Sequence, residues 1–503
     1  MNTLDEKKEK QKFSQILRKE VLLGLAFVLI IATGMRWNVA IAGWLYPIPL
    51  LMYVRMGYPW KSLIGVMFLA FLLEVLKIAS EPMYAMIALG AAIQITLSMS
   101  LILYLVNKFQ NKMGKDKDII VPLIFASLVT LAEYMGAQFS VLGVWGMAAN
   151  TQLDNLPMLQ VASVTGAYGI SFIMMWFSAV AESLIFKIAN NHAIDRAYKK
   201  SIMALCLTLI MVYIFGAYRL DMANQGPSIH VTGVSAKKYG VGDVMKSEAA
   251  RLANNDEVFE LLEKGAVNTE ILVSNEGALF IKPEEEKVTM ETLRLLAKKH
   301  EIYLAVGYII YRGQGKKFLN QMAIVNSHGE ILQKYDKQFI PPGEPSEWRK
   351  SEIQSFELLP NFVHDNKGLK ISGAICYDFD SMALTKSHGK SGSGLVLLPS
   401  SDWRGIDPIH TQMARLRAIE QGFSVARSVR ASISEFYDPF GRIRGSLAWF
   451  ENNDGILTAQ LPVIPVSTPY KAAGDWFVYL NMFFLSAMGL IYFSQKKDLN
   501  RAV

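Results

Sequence analysis

Lys370-Ile371-Ser372-Gly373-Ala374-Ile375-Cys376-Tyr377-Asp378 is the stretch around which the chain is organised. Apolar and small residues run from Ile371 to Ile375, which predicts a buried β-strand leading straight into a cysteine. A strand that ends in a sharp turn lifts a nucleophile clear of its sheet. A deprotonated thiol in that place forms a thioester that a later nucleophile can open. Taken alone, Cys376 reads more readily as a small apolar residue filling a strand, because free cysteines are commonly buried. Two stretches ahead of it change its company. Ile271-Leu272-Val273-Ser274-Asn275-Glu276 predicts a strand ending at a carboxylate, which can take the thiol proton and return it to a leaving group. Tyr335-Asp336-Lys337-Gln338-Phe339-Ile340-Pro341-Pro342-Gly343-Glu344 sets Lys337 in a Pro-rich turn after a hairpin strand. An ammonium there can stabilise a tetrahedral oxyanion and favour the thiolate. Glu344 is a second carboxylate candidate. Each also has an ordinary reading: a solvated loop acid for Glu276, a surface lysine beside Lys334 for Lys337, a turn-capping acid for Glu344.

The surroundings of these stretches are apolar. The chain has 503 residues, 51% of them hydrophobic, and a mean hydropathy of +0.23. That exceeds ordinary soluble domains and predicts membrane spans. The net charge is +7, and most of the excess lies in short basic loops between apolar runs. This pattern belongs to a positive-inside membrane protein and argues against nucleic-acid binding. There are two cysteines. Cys206 sits inside an apolar run, so a disulfide to Cys376 is not expected, and neither has metal-ligand spacing.

Runs of spanning length are expected at Val21–Thr33, Val39–Val54, Leu63–Ile78, Ala85–Val106, Ile119–Met135, Gly166–Ile185 and Ile202–Tyr218, with an eighth at Trp476–Phe493. The first follows the basic stretch Met1–Glu20 with no small-residue cleavage site after it, which predicts a retained helix. Loops 55–61, 107–118 and 187–200 and the tail are rich in Lys and Arg, whereas 80–84 and 136–165 have none. The positive-inside rule then puts both termini in the cytoplasm and everything from Leu220 to Asp475 on the outer side. Glu74, Glu133 and Glu182 are intramembrane carboxylates, a costly placement that marks candidate sites. Glu133, near the outer end of its span, is the one placed to serve the active face, and Glu182 is expected to be hydrated.

The external half, about Pro227 to Pro465, alternates helices and strands and finishes in hairpins. Strands are expected at Ser228–Ser235, Glu270–Ser274, Ile302–Tyr311, Asn320–Val325, Ile331–Tyr335, Leu369–Ile375, Gly394–Leu398, Val425–Ser428, Ile433–Tyr437, Gly445–Ala448 and Ile456–Leu461. Helices are expected at Ala249–Lys264, Val288–His300 and His410–Gln421. No repeat, P-loop or dinucleotide fingerprint is present.

The order Glu276, Lys337, Cys376 resembles that of the nitrilase (carbon–nitrogen hydrolase) superfamily. With the membrane runs around it, the chain resembles the apolipoprotein N-acyltransferase family over nearly its whole length. Tyr335–Glu344 is similar to the family's lysine motif, and Cys376-Tyr377-Asp378 to its Cys-Tyr-Glu. Ser401-Asp402-Trp403 with His410–Glu420 is similar to its helix after the nucleophile, and Asp438–Ile443 to its late hairpin. Trp145 and Gly166-Ala167-Tyr168-Gly169, within Gly143–Ser171, also resemble a family segment. The chain departs from the family at Ser274-Asn275 (usually Trp-Pro), Pro342 (usually Phe), Asp378 (usually Glu) and Val429–Ser432 (usually Asn-Thr-Gly-like).

The resemblance implies a multi-pass α-helical membrane domain, 1–226, with about seven spans. It implies an external α–β–β–α nitrilase-like domain, 227–465, and a closing span and cytoplasmic tail, 466–503. It implies a bacterial cytoplasmic-membrane enzyme with Glu276, Lys337 and Cys376 as catalytic residues, Glu344, Tyr377 and Asp378 in support, and no cofactor or metal. The phospholipid acyl donor would load Cys376, and the amine of a diacylglyceryl-cysteine apolipoprotein would take the acyl chain. A membrane-anchored amidase, and a catalytically silent lipoprotein-binding relative, are the alternatives.

Overall fold

The computed structural model describes residues 18–33, 35–78, 82–112, 117–222, 227–237, 241–313, 315–358, 368–451 and 455–501. The basic stretch at 1–17, Glu81 and Lys115 lie outside them. The N-terminal half is helical. It begins with α1 (residues 18–31), then α2 (Ala40–Leu45), α3 (Pro47–Arg55), α4 (Trp60–Leu76), α5 (Pro82–Lys112) and α6 (Lys117–Phe139). Two one-turn helices, α7 (Leu156–Leu159) and α8 (Ala162–Thr165), lie in the segment expected to be a plain loop, before α9 (Ala167–Ala189) and α10 (Arg196–Asp221).

Among the described residues five helices are long and apolar enough to cross a membrane: Ala85–Lys112, Asp118–Phe139, Ala167–Ala189, Arg196–Asp221 and Trp476–Ser494. They coincide with the last five expected runs. The first three runs form shorter pieces. The second is interrupted where Pro47 opens α3. The third, α4, has 17 residues, about 26 Å at 1.5 Å per residue and near the lower limit of a span. Glu182 corrects the reading from sequence: it is 3% exposed and pairs with Arg55 at 2.9 Å, because α9 packs on α3 and encloses it. Lys187 likewise pairs with Asp118 at 2.8 Å. The charges of Glu182 and Lys187 inside the bundle are thus each held in a pair.

The second half carries β1 (Ser228–Val234), α11 (Val241–Lys246), α12 (Glu248–Gly265), β2 (Ile271–Ser274), β3 (Leu279–Ile281), α13 (Glu286–His300), β4 (Tyr303–Ile310), β5 (Leu319–Val325), β6 (Ile331–Asp336) and β7 (Ser355–Glu357). It continues with β8 (Lys370–Gly373), α14 (Met382–Lys390), β9 (Leu395–Ser401), α15 (Ile409–Gln421), β10 (Ser424–Arg430), β11 (Ile433–Tyr437), β12 (Ile443–Ala448) and β13 (Ile456–Pro462). α16 (Pro469–Ala473) and α17 (Trp476–Arg501) return the chain to the bundle. The expected strands and helices all form. The unforeseen elements β3, β7, α11, α14 and α16 are short.

Two sheets result. One runs β13-β1-β2-β4-β5-β6, with β3 added against β4, and the other runs β12-β11-β10-β9-β8-β7. The centre of each is parallel: β1, β2 and β4 in one, β8, β9 and β10 in the other. Alternation along the strands builds the layers. Ile271 and Val273 face Leu395 and Leu397 between the sheets. Leu272 faces Leu262 and Leu293 of α12 and α13. Val396 and Leu398 face Ala414 and Ala418 of α15. These strands are buried on both faces, which is why they read as unbroken apolar runs.

The fourth layer is shared with the membrane bundle. The opposite face of α15, with Ile409, Met413, Leu416 and Ile419, joins the bundle's core. Glu420 of α15 accepts from the first N–H of α9, Ala167, at 2.8 Å, where a helix N-terminus favours a carboxylate. Arg417 pairs with Glu420 at 3.0 Å. Replacing Glu420 by Ala strands a buried guanidinium at a cost of roughly 3–5 kcal/mol. Glu420→Ala should therefore lower the thermal midpoint in detergent by roughly 5–10 °C, and Glu420→Gln, which still accepts from Ala167, by less. Equal midpoints for Glu420→Ala and the parent would contradict this coupling.

Candidate active site

Three strand ends meet at one spot. β2 delivers Glu276, β6 delivers Lys337, and β8 runs on to Cys376. Cys376 has φ of +47°, a left-handed conformation that costs a non-glycine residue energy and is characteristic of functional turns. A 3-10 turn, Cys376–Asp380, follows at once. Asp378 closes it: its Oδ2 accepts from Ile375 N at 3.0 Å, and Asp378 N donates back to Ile375 O at 3.0 Å.

Asp378 also ties this turn to the lysine loop. Oδ1 accepts from Gln338 N at 3.0 Å and Phe339 N at 2.7 Å, and Oδ2 accepts from Tyr335 Oη at 2.9 Å. The shorter acid thus makes four hydrogen bonds at the position where glutamate was expected. Burial pushes its pKa up to about 6, against the hydrogen bonds that favour the ion. Tyr377 stacks on Phe339, with centroids 5.1 Å apart and planes at 9°.

Lys337 is 3% exposed and lies between two carboxylates, 2.7 Å from Glu276 Oε1 and 2.5 Å from Glu344 Oε2. Asn320 of β5, which the sequence reading did not single out, donates to Glu276 Oε1 at 2.7 Å and to Glu344 Oε1 at 3.0 Å. Burial works against the ammonium, but Glu276 and Glu344 outweigh it and hold the Lys337 pKa well above its usual value. Burial also opposes the Glu344 ion, and Lys337 again outweighs it, holding that pKa below the carboxylate range. The Cys376 thiol is pushed well up, by burial first and by the Glu276 charge second. Cys376 therefore rests as a thiol, with Glu276 the leading charge acting on it. The departure at Ser274-Asn275 is accommodated locally: Ser274 Oγ accepts from Gly307 N at 2.9 Å, and Asn275 Oδ1 from Ala236 N at 3.2 Å.

Glu276, Asn320, Lys337, Glu344 and Cys376 all line one cavity of about 420 Å³, within the usual range for small-ligand sites, about 300–1,000 Å³. Its other wall comes from the bundle: Val75 of α4, Ile87, Ala88, Ala91 and Ile95 of α5, and Leu142 and Trp145 after α6. Glu133 is not on that wall. Its Oε1 instead accepts from Ala148 N at 2.7 Å and supports the turn after the cavity loop. Among the described residues one trio, Cys376, Asp402 and His410, brings thiol, carboxylate and imidazole atoms within 4.8 Å of one another. Arg427 Nη2, 3.3 Å from Asp402 Oδ1 and 2.9 Å from His410 Nδ1, occupies the side a cation would need.

Two family matches divide the chain much as the fold does. Residues 21–180 match the apolipoprotein N-acyltransferase N-terminal domain, and residues 213–465 match carbon-nitrogen hydrolase. The chain belongs to the apolipoprotein N-acyltransferase family. Similar members include those named apolipoprotein N-acyltransferase in Geobacter metallireducens, 23% identical and covering 76% of each chain, and in Haemophilus ducreyi, 22% identical over 77% of this chain and 78% of that one. The Bradyrhizobium diazoefficiens member is 27% identical over 70% of each. Among solved structures, an amidase from Nesterenkonia sp. matches at a TM-score of 0.39 and 17% identity, covering 52% of this chain and 98% of that one. Like its family, the chain is a multi-pass membrane acyltransferase that carries a carbon–nitrogen hydrolase domain.

The direction of the Glu344 shift fixes a pH window. An acid whose folded pKa is lowered adds stability that is full above its unfolded value, about 4.5, and is lost as pH falls through the lower folded value. The parent should therefore exceed Glu344→Gln in thermal midpoint by a constant margin from pH 6 to 8, and the margin should narrow below about pH 4.5. A margin that widens in acid would reverse the sign.

Proposed function

We propose that the cavity is where a phospholipid acyl ester meets Cys376, and that the acyl chain then passes to the N-terminal amine of a diacylglyceryl-cysteine lipoprotein. The observation that carries this is the composition of the cavity wall. A Glu–Lys–Cys cluster forms one side, and apolar residues of α4 and α5, two helices of the membrane bundle, form the other. A soluble amide has no need of such a wall, whereas an acyl chain entering from the bilayer does.

In the first half-reaction Glu276 takes the Cys376 proton as the sulfur attacks the ester carbonyl. Lys337, held as an ammonium by its two carboxylates, stabilises the oxyanion. The C–O bond breaks, the lysophospholipid leaves with the proton from Glu276, and an S-acyl thioester remains. In the second, the lipoprotein amine attacks the thioester, Glu276 accepts the amine proton, the C–S bond breaks, and Glu276 passes that proton to the departing sulfur, leaving the product amide and the free thiol. Glu344 and Asn320 keep Lys337 and Glu276 in place, and Asp378 keeps Cys376 and the lysine loop in register. The reading puts the external domain, 227–465, on the outer face of a bacterial cytoplasmic membrane, between a membrane domain at 1–226 with about seven spans and a closing span at 466–503. Basic loops and both termini would face the cytoplasm. Tyr377, between the stacked Phe339 and the cavity, would orient the incoming ester.

Intact-mass measurement after incubation with phospholipid vesicles tests this. The parent should gain one hydroxylamine-labile acyl group that a diacylglyceryl peptide discharges far faster than water does. Cys376→Ser should gain no thioester, and Glu276→Gln and Lys337→Met should form it at least about 100-fold more slowly. Discharge mainly by water would make the enzyme a hydrolase, and wild-type adduct formation by Glu276→Gln would remove the proposed base.

A further inference from the structure

Beside Cys376 lies a second group of charged side chains that the reaction above does not use, two of which, Asp402 and His410, line the same cavity. The Cys376 sulfur is 3.7 Å from the Ser401 carbonyl and 3.8 Å from Asp402 Oδ1. His410 Nδ1 is 2.7 Å from that same Oδ1. Arg427 Nη2 is 3.3 and 3.4 Å from the two Asp402 oxygens. The far side of the imidazole is held as well, with Nε2 2.9 Å from Asp380 Oδ2. All four side chains are buried.

Asp380 is where the membrane bundle reaches this group. The Trp145 indole N–H donates to Asp380 Oδ2 at 3.3 Å, and Val144 N donates to the Asp380 carbonyl at 3.2 Å. The Trp145 ring lies over His410, with centroids 5.4 Å apart. Gly143 has φ of +55°, and a Cβ there would stand 2.2 Å from the Asp380 carbonyl oxygen, so only glycine lets the loop approach this closely. Tyr377 Oη donates to Val141 O at 3.0 Å, a second strut between loop and nucleophile turn. Trp145 itself lines the cavity. A continuous chain of contacts thus runs from the cavity wall through Trp145, Asp380, His410 and Asp402 to the sulfur.

The electrostatics give that chain a consequence. A carboxylate beside a thiol opposes its ionisation. The groups facing the sulfur are Glu276, Lys337, Asp402 and Arg427. Those facing His410 are Asp402, Arg427 and Asp380, with the Tyr377 ring at 6.1 Å. Each imidazole nitrogen sits at hydrogen-bond distance from a carboxylate, which favours the imidazolium. Burial opposes that charge, as does the nearby Arg427, but Asp402 and Asp380 together outweigh them and raise the His410 pKa. A cation at His410 cancels part of the Asp402 field at Cys376, and losing it would leave the thiol harder to ionise.

We propose that His410 is a positioning residue that holds Asp402 against Cys376 and couples the Trp145 loop, and so the filling of the cavity, to the reactivity of the thiol. The coupling to cavity filling rests on the reading that an acyl chain occupies it. The effect on the thiol does not.

The test is the rate of iodoacetamide alkylation of Cys376 in the full-length protein in detergent, without lipid, from pH 7 to 11.5, a range that extends well above the usual thiol value; where a midpoint lies beyond it, the shift is read as the ratio of rates at fixed pH. Peptide mass separates Cys376 from Cys206. In His410→Asn the midpoint of the pH profile should rise by about one unit, so that alkylation below it slows about tenfold. Trp145→Phe keeps a ring over the imidazole but loses the N–H to Asp380, and should move the midpoint the same way by less. The double variant should match His410→Asn alone, because the effect of Trp145 passes through the imidazole. Asp380→Asn, which keeps an acceptor for Nε2 and loses the charge, is the second probe if His410→Asn does not fold, and should also raise the midpoint. An unchanged midpoint in a folded His410→Asn, or in Asp380→Asn where only that variant folds, overturns the proposal. Additive shifts in the double variant overturn the coupling through Trp145. If these shifts occur but no lipid loads Cys376, the acyltransfer reading fails and the positioning role stands. If lipid loads normally and the midpoint does not move, the reverse holds.

Discussion

One buried ammonium organises the catalytic half. Lys337 sits between Glu276 and Glu344 with almost no access to water. A charge taken out of water costs several kcal/mol unless it is closely paired and its partners are hydrogen-bonded in turn. Asn320 meets that condition by bonding both carboxylates at once. The four residues come from three segments, the β2 end, β5 and the Lys337–Glu344 loop, so the cluster exists only when both the β2 end and the β5–β6 hairpin are in register. The same requirement makes the site chemically definite. The lysine is held as an ammonium and Cys376 as a thiol, and Glu276 is the leading charge acting on both.

Asp378 plays the corresponding part for geometry. Two of its four hydrogen bonds go to the backbone of the loop that carries Lys337, one goes to the Tyr335 hydroxyl before that loop, and the fourth closes its own turn at Ile375 N. The left-handed backbone at Cys376 is affordable because this side chain pins the residues on both sides of it. The departure from glutamate at this position therefore leaves the turn fully closed. The departure at Ser274-Asn275 is similar in kind, since both side chains are used up in shaping the bend before Glu276.

The two halves of the chain are built as one site. α15 serves both as the outer layer of the second sheet and as part of the bundle's core. Glu420 caps α9, Trp403 donates to Ile78 O, two residues past the end of α4, at 2.6 Å, and the loop after α6 rests on Asp380. These joints hold α4 and α5 opposite the nucleophile, and the cavity is the space left between them. The apolar wall is thus a property of the joint rather than of either half.

The strands, the long helices and the order of Glu276, Lys337 and Cys376 are legible without the fold, because each is local. Buried strands leave unbroken apolar runs, spans leave long ones, and a nucleophile elbow leaves a strand stopping at a cysteine. Asn320, Asp380 and Arg427 gave no such sign, since a polar residue in a strand or turn looks alike whether it meets water or a buried charge. His410 and Asp402 stood out only as parts of a motif. Glu182 was misread for the same reason: its position near a span's end suggested hydration, and only the packing of α9 on α3 supplied Arg55 instead. What the tertiary structure decided is everything that depends on distance between segments: which carboxylates share the lysine, what holds Asp402 beside the sulfur, and which helices wall the cavity. Those follow from long-range packing, where the cost of burying a charge selects its partner from parts of the chain that sequence spacing does not bring together.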